Sequence, residues 1–250
     1  MRDPTRRFSD RAGDYVRYRP GYPAAVGELF RDRLGLGPDA VVVDVGSGTG
    51  KLTTLLLDHG WKVLAVEPNA EMRAAAEALL GGRPGFVSVD GRAEATTLAP
   101  ASADLVTAAQ ALHWFDQDAA RAEFRRILRP GGHVALLWNQ RVAGLPFTED
   151  YERALREHSV DYVEVDRSSK PGPEAIGAFL GEPAYATFDN PQEMDLGGLV
   201  GRYLSASYAF GRDDPRFPQA ASALRAVFER HARGGTLTMP MATHVYWGRV

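Results

Sequence analysis

Three glycines follow an acidic strand in the segment Val41–Gly50, which reads VVVDVGSGTG. Gly46, Gly48 and Gly50 have no Cβ, so the chain can turn sharply and a ligand can lie against its backbone. A helix predicted over Lys51–Asp58 would point its free N–H groups at that ligand. This combination predicts a binding loop for a cofactor that contains adenosine.

The spacing of these glycines separates two classes of cofactor. Loops that hold a dinucleotide pyrophosphate read G-x-G-x-x-G. Here Gly50 comes one residue early, and Asp44 precedes the loop, where a carboxylate suits a cationic ligand better than a pyrophosphate. From the loop alone, a structural strand–turn–helix without any ligand stays an alternative.

A second carboxylate, Glu67, ends the predicted strand Lys62–Val66 and precedes Pro68. In an α/β unit this position brings the carboxylate to the carboxyl end of the neighbouring strand, within reach of a ribose. Its two oxygens can accept hydrogen bonds from both ribose hydroxyls. Glu67 therefore supports an adenosine cofactor, although it does not distinguish the two classes.

Further blocks follow in a fixed order. They are GRAE at Gly91–Glu94, SADLV at Ser102–Val106 and RILRPGG at Arg126–Gly132. Together with D-x-G-x-G-x-G at Asp44–Gly50 and with Glu67, they resemble the class I methyltransferases, whose methyl donor is S-adenosylmethionine (SAM). The resemblance covers roughly residues 39–139.

The resemblance implies an α/β fold with a doubly wound, seven-stranded, mostly parallel sheet of the Rossmann-like kind. It adds an N-terminal helical lid and a helical insertion near the C-terminus. It implies SAM as cofactor and S-adenosylhomocysteine as product. The expected cofactor-binding residues are Asp44, Gly46, Ser47, Gly48, Gly50, Glu67, Pro68, Ala93, Glu94 and Gln110. Arg92 replaces an acidic residue common in the family, which leaves the adenine contact to Glu94, Asp90 or the backbone of Ala93.

An arm rich in aromatic residues and arginine precedes the core. The pattern Y-x-x-Y-R-P-x-Y-P at Tyr15–Pro23 resembles the arm of small-molecule methyltransferases akin to trans-aconitate methyltransferase, which lies over the cofactor. Aromatic rings there would cover a sulfonium by cation–π contact and exclude water. The alternative is an amphipathic segment packed on the sheet. A helix is predicted at Ala24–Leu34, a sixth strand within residues 183–195, and one interrupted last strand over Leu237–Gly248.

His113 follows the predicted fourth strand, where the methyl acceptor should lie, and is the candidate base or orienting group. The alternative is a structural histidine stacked on Trp114. Gln110 could orient a carbonyl or carboxylate, and Arg19 and Arg141 could pair with an acidic substrate. The expected substrate-binding residues are Tyr18, Arg19, His113, Trp114 and Tyr208.

Composition excludes several other classes. The chain has 250 residues, a net charge of −3 and no cysteine, so disulfides and thiolate metal sites are excluded. No basic stripe predicts nucleic-acid binding, no clustered ligand spacing predicts a metal, and no apolar run predicts a membrane span. We therefore expect a cytoplasmic protein with one domain over residues 1–250, divided into an arm (1–35), a SAM-binding core (36–139) and a divergent substrate-facing part (140–250).

The sequence thus predicts methyl transfer from SAM to a small-molecule acceptor. One alternative is a protein of the same fold that binds SAM without methylating. Another is an NAD-dependent oxidoreductase, which the early position of Gly50 disfavours. The acceptor, the atom methylated and the oligomeric state stay open.

Overall fold

A computed structural model describes residues 12–168 and 172–250. Its strands are β1 (Val41–Val45), β2 (Lys62–Val66), β3 (Phe86–Val89), β4 (Ala103–Ala109), β5 (Leu128–Arg141), β6 (Ala184–Asp189), β7 (Gln192–Met194), β8 (Leu237–Met239) and β9 (Met241–Gly248). Its α-helices are α1 (Ala12–Tyr18), α2 (Ala24–Leu34), α3 (Lys51–Asp58), α4 (Ala70–Leu80), α5 (Gln117–Ile127), α6 (Pro146–Glu157), α7 (Tyr162–Ser168), α8 (Pro173–Leu180), α9 (Leu196–Leu204) and α10 (Phe217–His231). The helices predicted at Ala24–Leu34 and Lys51–Asp58 are confirmed.

Seven strands form the main sheet in the order β3-β2-β1-β4-β5-β9-β6. The first five are parallel, and β9 runs antiparallel to both of its neighbours. The strand order reverses between β1 and β4, and such a switch point opens a crevice at the carboxyl ends of the two strands. The predicted doubly wound, mostly parallel sheet is confirmed.

The run of valines in β1 explains why this strand is buried on both faces. Val42 packs with Phe30 and Leu56 on the side of α2 and α3. Val43 packs with Phe124 on the side of α5. Alternate residues of a strand point to opposite faces, so a central parallel strand needs apolar side chains at nearly every position. This burial fixes the end of β1, from which the glycine loop emerges.

The last predicted strand is wrong in one respect, because Pro240 divides it. β8 pairs with β7 in a separate two-stranded sheet, whereas β9 enters the main sheet. Proline has no N–H to donate to a ladder, so pairing is interrupted at this residue. The residues predicted to hold strand six likewise contain both β6 and β7.

Residues 1–11 of the predicted arm (1–35) lie outside the described chain, and the described part begins with α1. Helix α1 packs against α4 and α9. The arm, taken here as residues 12–23, is fastened largely through its own backbone carbonyls. These carbonyls accept hydrogen bonds as follows: Val16 from Lys51 Nζ at 2.6 Å, Tyr18 from Gln192 Nε2 at 2.8 Å, and Gly21 from the Asn139 and Asn190 amides, each at 3.0 Å.

Candidate active site

The three glycines of the loop after β1 all have positive φ, at +68° for Gly46, +56° for Gly48 and +83° for Gly50. A Cβ at Gly46 would lie 2.8 Å from the Cβ of Ala111, and one at Gly50 would lie 2.5 Å from Cδ1 of Leu80. A Cβ at Gly48 would meet no protein atom within 4 Å. Packing therefore demands two of the glycines, while Gly48 borders open space.

That open space is a cleft of about 950 Å³, its mouth included, which we name the glycine-loop cleft. The residues expected from the sequence that line it are Gly46, Gly48, Glu67, Pro68, Ala93, Glu94 and Gln110. It lies where the strand order reverses, at the carboxyl ends of β1, β2 and β4. The structure thus brings seven of the ten expected cofactor residues to one surface.

Glu67 is held rigidly at the wall of this cleft. Its Oε2 accepts from Gly48 N at 2.9 Å, and its Oε1 accepts from Asn69 N at 2.9 Å. Burial raises the pKa of the carboxyl, and these two backbone hydrogen bonds act against that rise. A carboxylate offers about four acceptor positions, so further donors can be accommodated.

Three expected cofactor residues lie off the wall: Asp44, Ser47 and Gly50. The Asp44 carboxylate accepts from Thr53 Oγ1 at 2.7 Å and from Thr107 Oγ1 at 3.0 Å, and the residue is 1% exposed. Burial raises its pKa to about 6, against the two threonine hydrogen bonds. The prediction that Asp44 lies beside the ligand is therefore corrected: its carboxyl group is buried beneath the loop and does not line the cleft.

A second cleft of about 790 Å³ adjoins the first, and we name it the arginine cleft. Tyr15, Gln110 and Trp114 line both clefts and form their shared wall. Gln110 has a φ of +57°, which is strained for a residue with a side chain, and its amide donates to Asn139 O at 3.0 Å. Such backbone strain is common at functional sites, where the surrounding structure keeps the residue in the strained conformation.

Four of the expected substrate residues line the arginine cleft: Arg19, His113, Trp114 and Tyr208. The His113 ring is tilted against Trp114 with centroids 4.7 Å apart, so stacking and access to the cleft occur together. The prediction that Tyr18 binds the substrate is corrected, since Tyr18 does not line this cleft. Its ring packs on α9 so closely that no Cβ would fit at Gly201.

Arg141 is also corrected, because its charge is used inside the protein. Its guanidinium lies 3.4 Å from Glu152 and 3.5 Å from Asp166, and it donates to Tyr162 Oη at 2.6 Å. These contacts join the end of β5 to α6 and α7. Arg141 is therefore not available to pair with a substrate.

The sequence prediction omitted several lining residues. Asn69, Met72 and Phe115 belong to the glycine-loop cleft, and Lys51 and Arg202 belong to the arginine cleft. The position of Lys51 directly after the loop was a usable signal. Arg202 gave none, because a lone basic residue within a helix usually faces solvent.

Within residues 12–168 and 172–250, no group of three or more potential metal ligands is assembled. Among the same residues, no helix combines the length and the apolar character needed to cross a bilayer.

Residues 43–136 match the model of a methyltransferase domain family. An uncharacterized methyltransferase of Mycobacterium bovis is 43% identical over 143 residues, covering 56% of this chain and 55% of its own. An uncharacterized methyltransferase-like protein of Schizosaccharomyces pombe is 32% identical over 158 residues, covering 62% of this chain and 59% of its own. The chain thus spans a little over half the length of these curated relatives.

Among solved structures, a protein from Anaeromyxobacter dehalogenans proposed to be a type II methyltransferase superposes with a TM-score of 0.66. It is 25% identical, and the match covers 93% of this chain and 98% of the other. These relatives do not test the resemblance of the arm to the trans-aconitate group, which stays a prediction. The sheet order and these likenesses show the Rossmann-like fold of the class I methyltransferases, and residues 43–136 match a methyltransferase domain.

Proposed function

We propose that this protein transfers a methyl group from SAM to a small-molecule acceptor. The observation that carries the proposal is the pair of adjoining clefts with Tyr15, Gln110 and Trp114 between them. One cleft has the residues suited to an adenosine cofactor, and the other leaves space for a second molecule beside it. A methyl transferase needs two such compartments in contact, because donor and acceptor must meet.

The residues of the glycine-loop cleft fit SAM. The space beside Gly48 allows a ligand to approach the backbone, and the anchored Glu67 carboxylate is placed to accept from a ribose. Met72, Ala93 and Phe115 offer an apolar surface for a purine. We propose that Asp44 supports this site through charge from beneath the loop, and that Ser47 and Gly50 shape the turn.

SAM supplies a methyl group on a sulfonium, so the leaving group is neutral and needs little help. The main tasks of the protein are then to align the acceptor and to exclude water. The aromatic rings of Tyr15 and Trp114 suit a cationic neighbour. His113 is proposed as the base for an acceptor that must lose a proton.

Titration calorimetry tests SAM binding, and transfer of label from methyl-labelled SAM tests the activity. We expect Gly48→Val to lose binding, because its side chain would enter the cleft. Gly60→Val is the matched control, since Gly60 has a φ of +84° and no neighbour within 4 Å of its Cβ position. It lies between α3 and β2, at the opposite edge of the sheet.

Failure of the unmutated protein to bind SAM would refute the proposal. Tight binding of SAM without transfer to any of a broad panel of acceptors would favour the alternative that the protein binds SAM without methylating. Tight binding of NADH, followed by fluorescence, would favour an oxidoreductase.

A further inference from the structure

The arginine cleft carries positive charge without a balancing acid. Arg19, Lys51 and Arg202 line it, and no aspartate or glutamate does so within the described chain. Lys51 donates to a backbone carbonyl, Val16 O, and Arg19 donates to Ser205 Oγ at 3.0 Å. These partners are neutral, so the three charges stay uncompensated.

Among the three basic residues, Arg202 costs the fold the most stability, because it is the most deeply buried. It is 8% exposed, and its Nε has no hydrogen-bond partner in the described part of the chain. Burial, and after it the charge of Arg19, lowers the pKa of Arg202 to about 9. Burial also lowers the pKa of Lys51, with the charge of Arg202 adding to the effect. A buried cation without a partner destabilises a protein, so the fold tolerates Arg202 at a cost.

Arg141 shows how this protein treats a buried arginine that serves the fold. It has two carboxylates, Glu152 and Asp166, within 3.5 Å and the hydroxyl of Tyr162 as an acceptor. Arg202 has no such partners. The Nε of Arg141 also lacks a hydrogen-bond partner, so the two arginines differ in their neighbouring carboxylates. The place of Arg202 in the last turn of α9 favours a positive charge, but that effect is small and does not replace a carboxylate partner.

We propose that Arg202, together with Arg19 and Lys51, binds an anionic oxygen group of the methyl acceptor, either a carboxylate or a phosphate. This inference rests on the proposed function, since it assigns the arginine cleft to the acceptor. A guanidinium binds such groups through paired hydrogen bonds. The hydroxyls of Ser207 and Tyr208, on the same lining, can donate to the same anion.

The carboxylate of the cofactor itself is a second source of the same chemistry, so the experiment must separate the two. The protein is first saturated with S-adenosylhomocysteine, whose affinity is measured for each variant by calorimetry. Succinate and glycerol 3-phosphate are then titrated, with succinamide and glycerol as neutral counterparts, and binding is followed by ligand-observed NMR. The variants are Arg202→Met and, as a control that removes an exposed charge on α5, Arg125→Met.

We expect one of the two anions to bind and its neutral counterpart not to bind. Arg202→Met should weaken binding of the anion at least tenfold, whereas Arg125→Met should keep the affinity for the anion within twofold of the unmutated value. Neither variant should change the affinity for S-adenosylhomocysteine more than twofold. Succinate and glycerol 3-phosphate then distinguish a carboxylate from a phosphate.

Three results would overturn the inference. The first is that neither anion binds, and the second is that the unmutated protein and Arg202→Met bind the anion equally. The third is that Arg202→Met loses affinity for S-adenosylhomocysteine in parallel with affinity for the anion, which would assign the cations to the cofactor. Failure of the unmutated protein to bind S-adenosylhomocysteine would instead refute the proposed function. Thermal unfolding of the ligand-free proteins gives an independent readout. We expect Arg202→Met to be at least as stable as the unmutated protein, and a large loss of stability would show that Arg202 is structural.

Discussion

The buried Asp44 predicts a pH dependence of stability that a single substitution removes. Its pKa is raised to about 6 in the folded protein, from 3.8 for an exposed aspartate. Between these two values the folded state holds a proton that the unfolded chain releases, so the free energy of unfolding falls as the pH rises. At about 1.4 kcal/mol for each pH unit of difference, the fall is about 3 kcal/mol between pH 4 and pH 6.

Asp44→Asn removes this titration with little change of shape. The Thr53 and Thr107 hydroxyls, which donate to the carboxylate, can turn to accept from the new amide. We expect the stability of Asp44→Asn, relative to the unmutated protein, to rise by about 3 kcal/mol from pH 4 to pH 7. Urea unfolding across this range measures it.

Asp118→Asn is the matched control, because Asp118 is exposed on α5. The difference in stability between Asp118→Asn and the unmutated protein should vary much less with pH than the difference for Asp44→Asn. A difference between Asp44→Asn and the unmutated protein that stays flat from pH 4 to pH 7 would refute the reasoning.

Three further substitutions probe separate contacts. Gly50→Ala should lower stability by about 2–4 kcal/mol, because its Cβ would meet Leu80 at positive φ, and calorimetry should show SAM affinity within about threefold of the unmutated value. Glu123→Gln should cost about 1–3 kcal/mol at neutral pH, because Glu123 accepts from Arg126 and Thr96. Since the Arg126 hydrogen bond lowers the Glu123 pKa to about 2, from 4.5, urea unfolding should show this cost disappearing as the pH falls from about 4.5 to 2, and a cost that persists at pH 2 would contradict it. Arg141→Met should lower stability by about 3 kcal/mol, because it leaves Glu152 and Asp166 unpaired, and thermal unfolding indistinguishable from that of the unmutated protein would contradict the role of this network.

Local patterns were sufficient for the core of the fold and for most of the glycine-loop cleft. The valine run of β1, the glycines after it and Glu67 at the end of β2 lie close together in sequence, and sheet geometry alone brings them to one edge. The doubly wound, mostly parallel sheet could be expected because the motif blocks resemble, in kind and order, those of the class I methyltransferases.

Long-range contacts explain what the sequence did not show. The Asp44 carboxylate lies under the loop because Thr53 on α3 and Thr107 on β4 both donate to it. Arg202 is buried on α9, a helix against which the arm packs from a distant part of the sequence. Neither arrangement has a periodicity or a spacing that could be recognised before folding.

The fastening of the arm has a consequence for protein engineering and for divergence among relatives. Val16, Tyr18 and Gly21 are held by their carbonyls, and every residue type has a carbonyl. Arm side chains that face the clefts, such as Tyr15, can therefore be exchanged while these anchors persist. Under the proposed function, we expect a library that varies such positions and keeps Lys51, Gln192 and Asn139 to change acceptor preference on an arm that still docks.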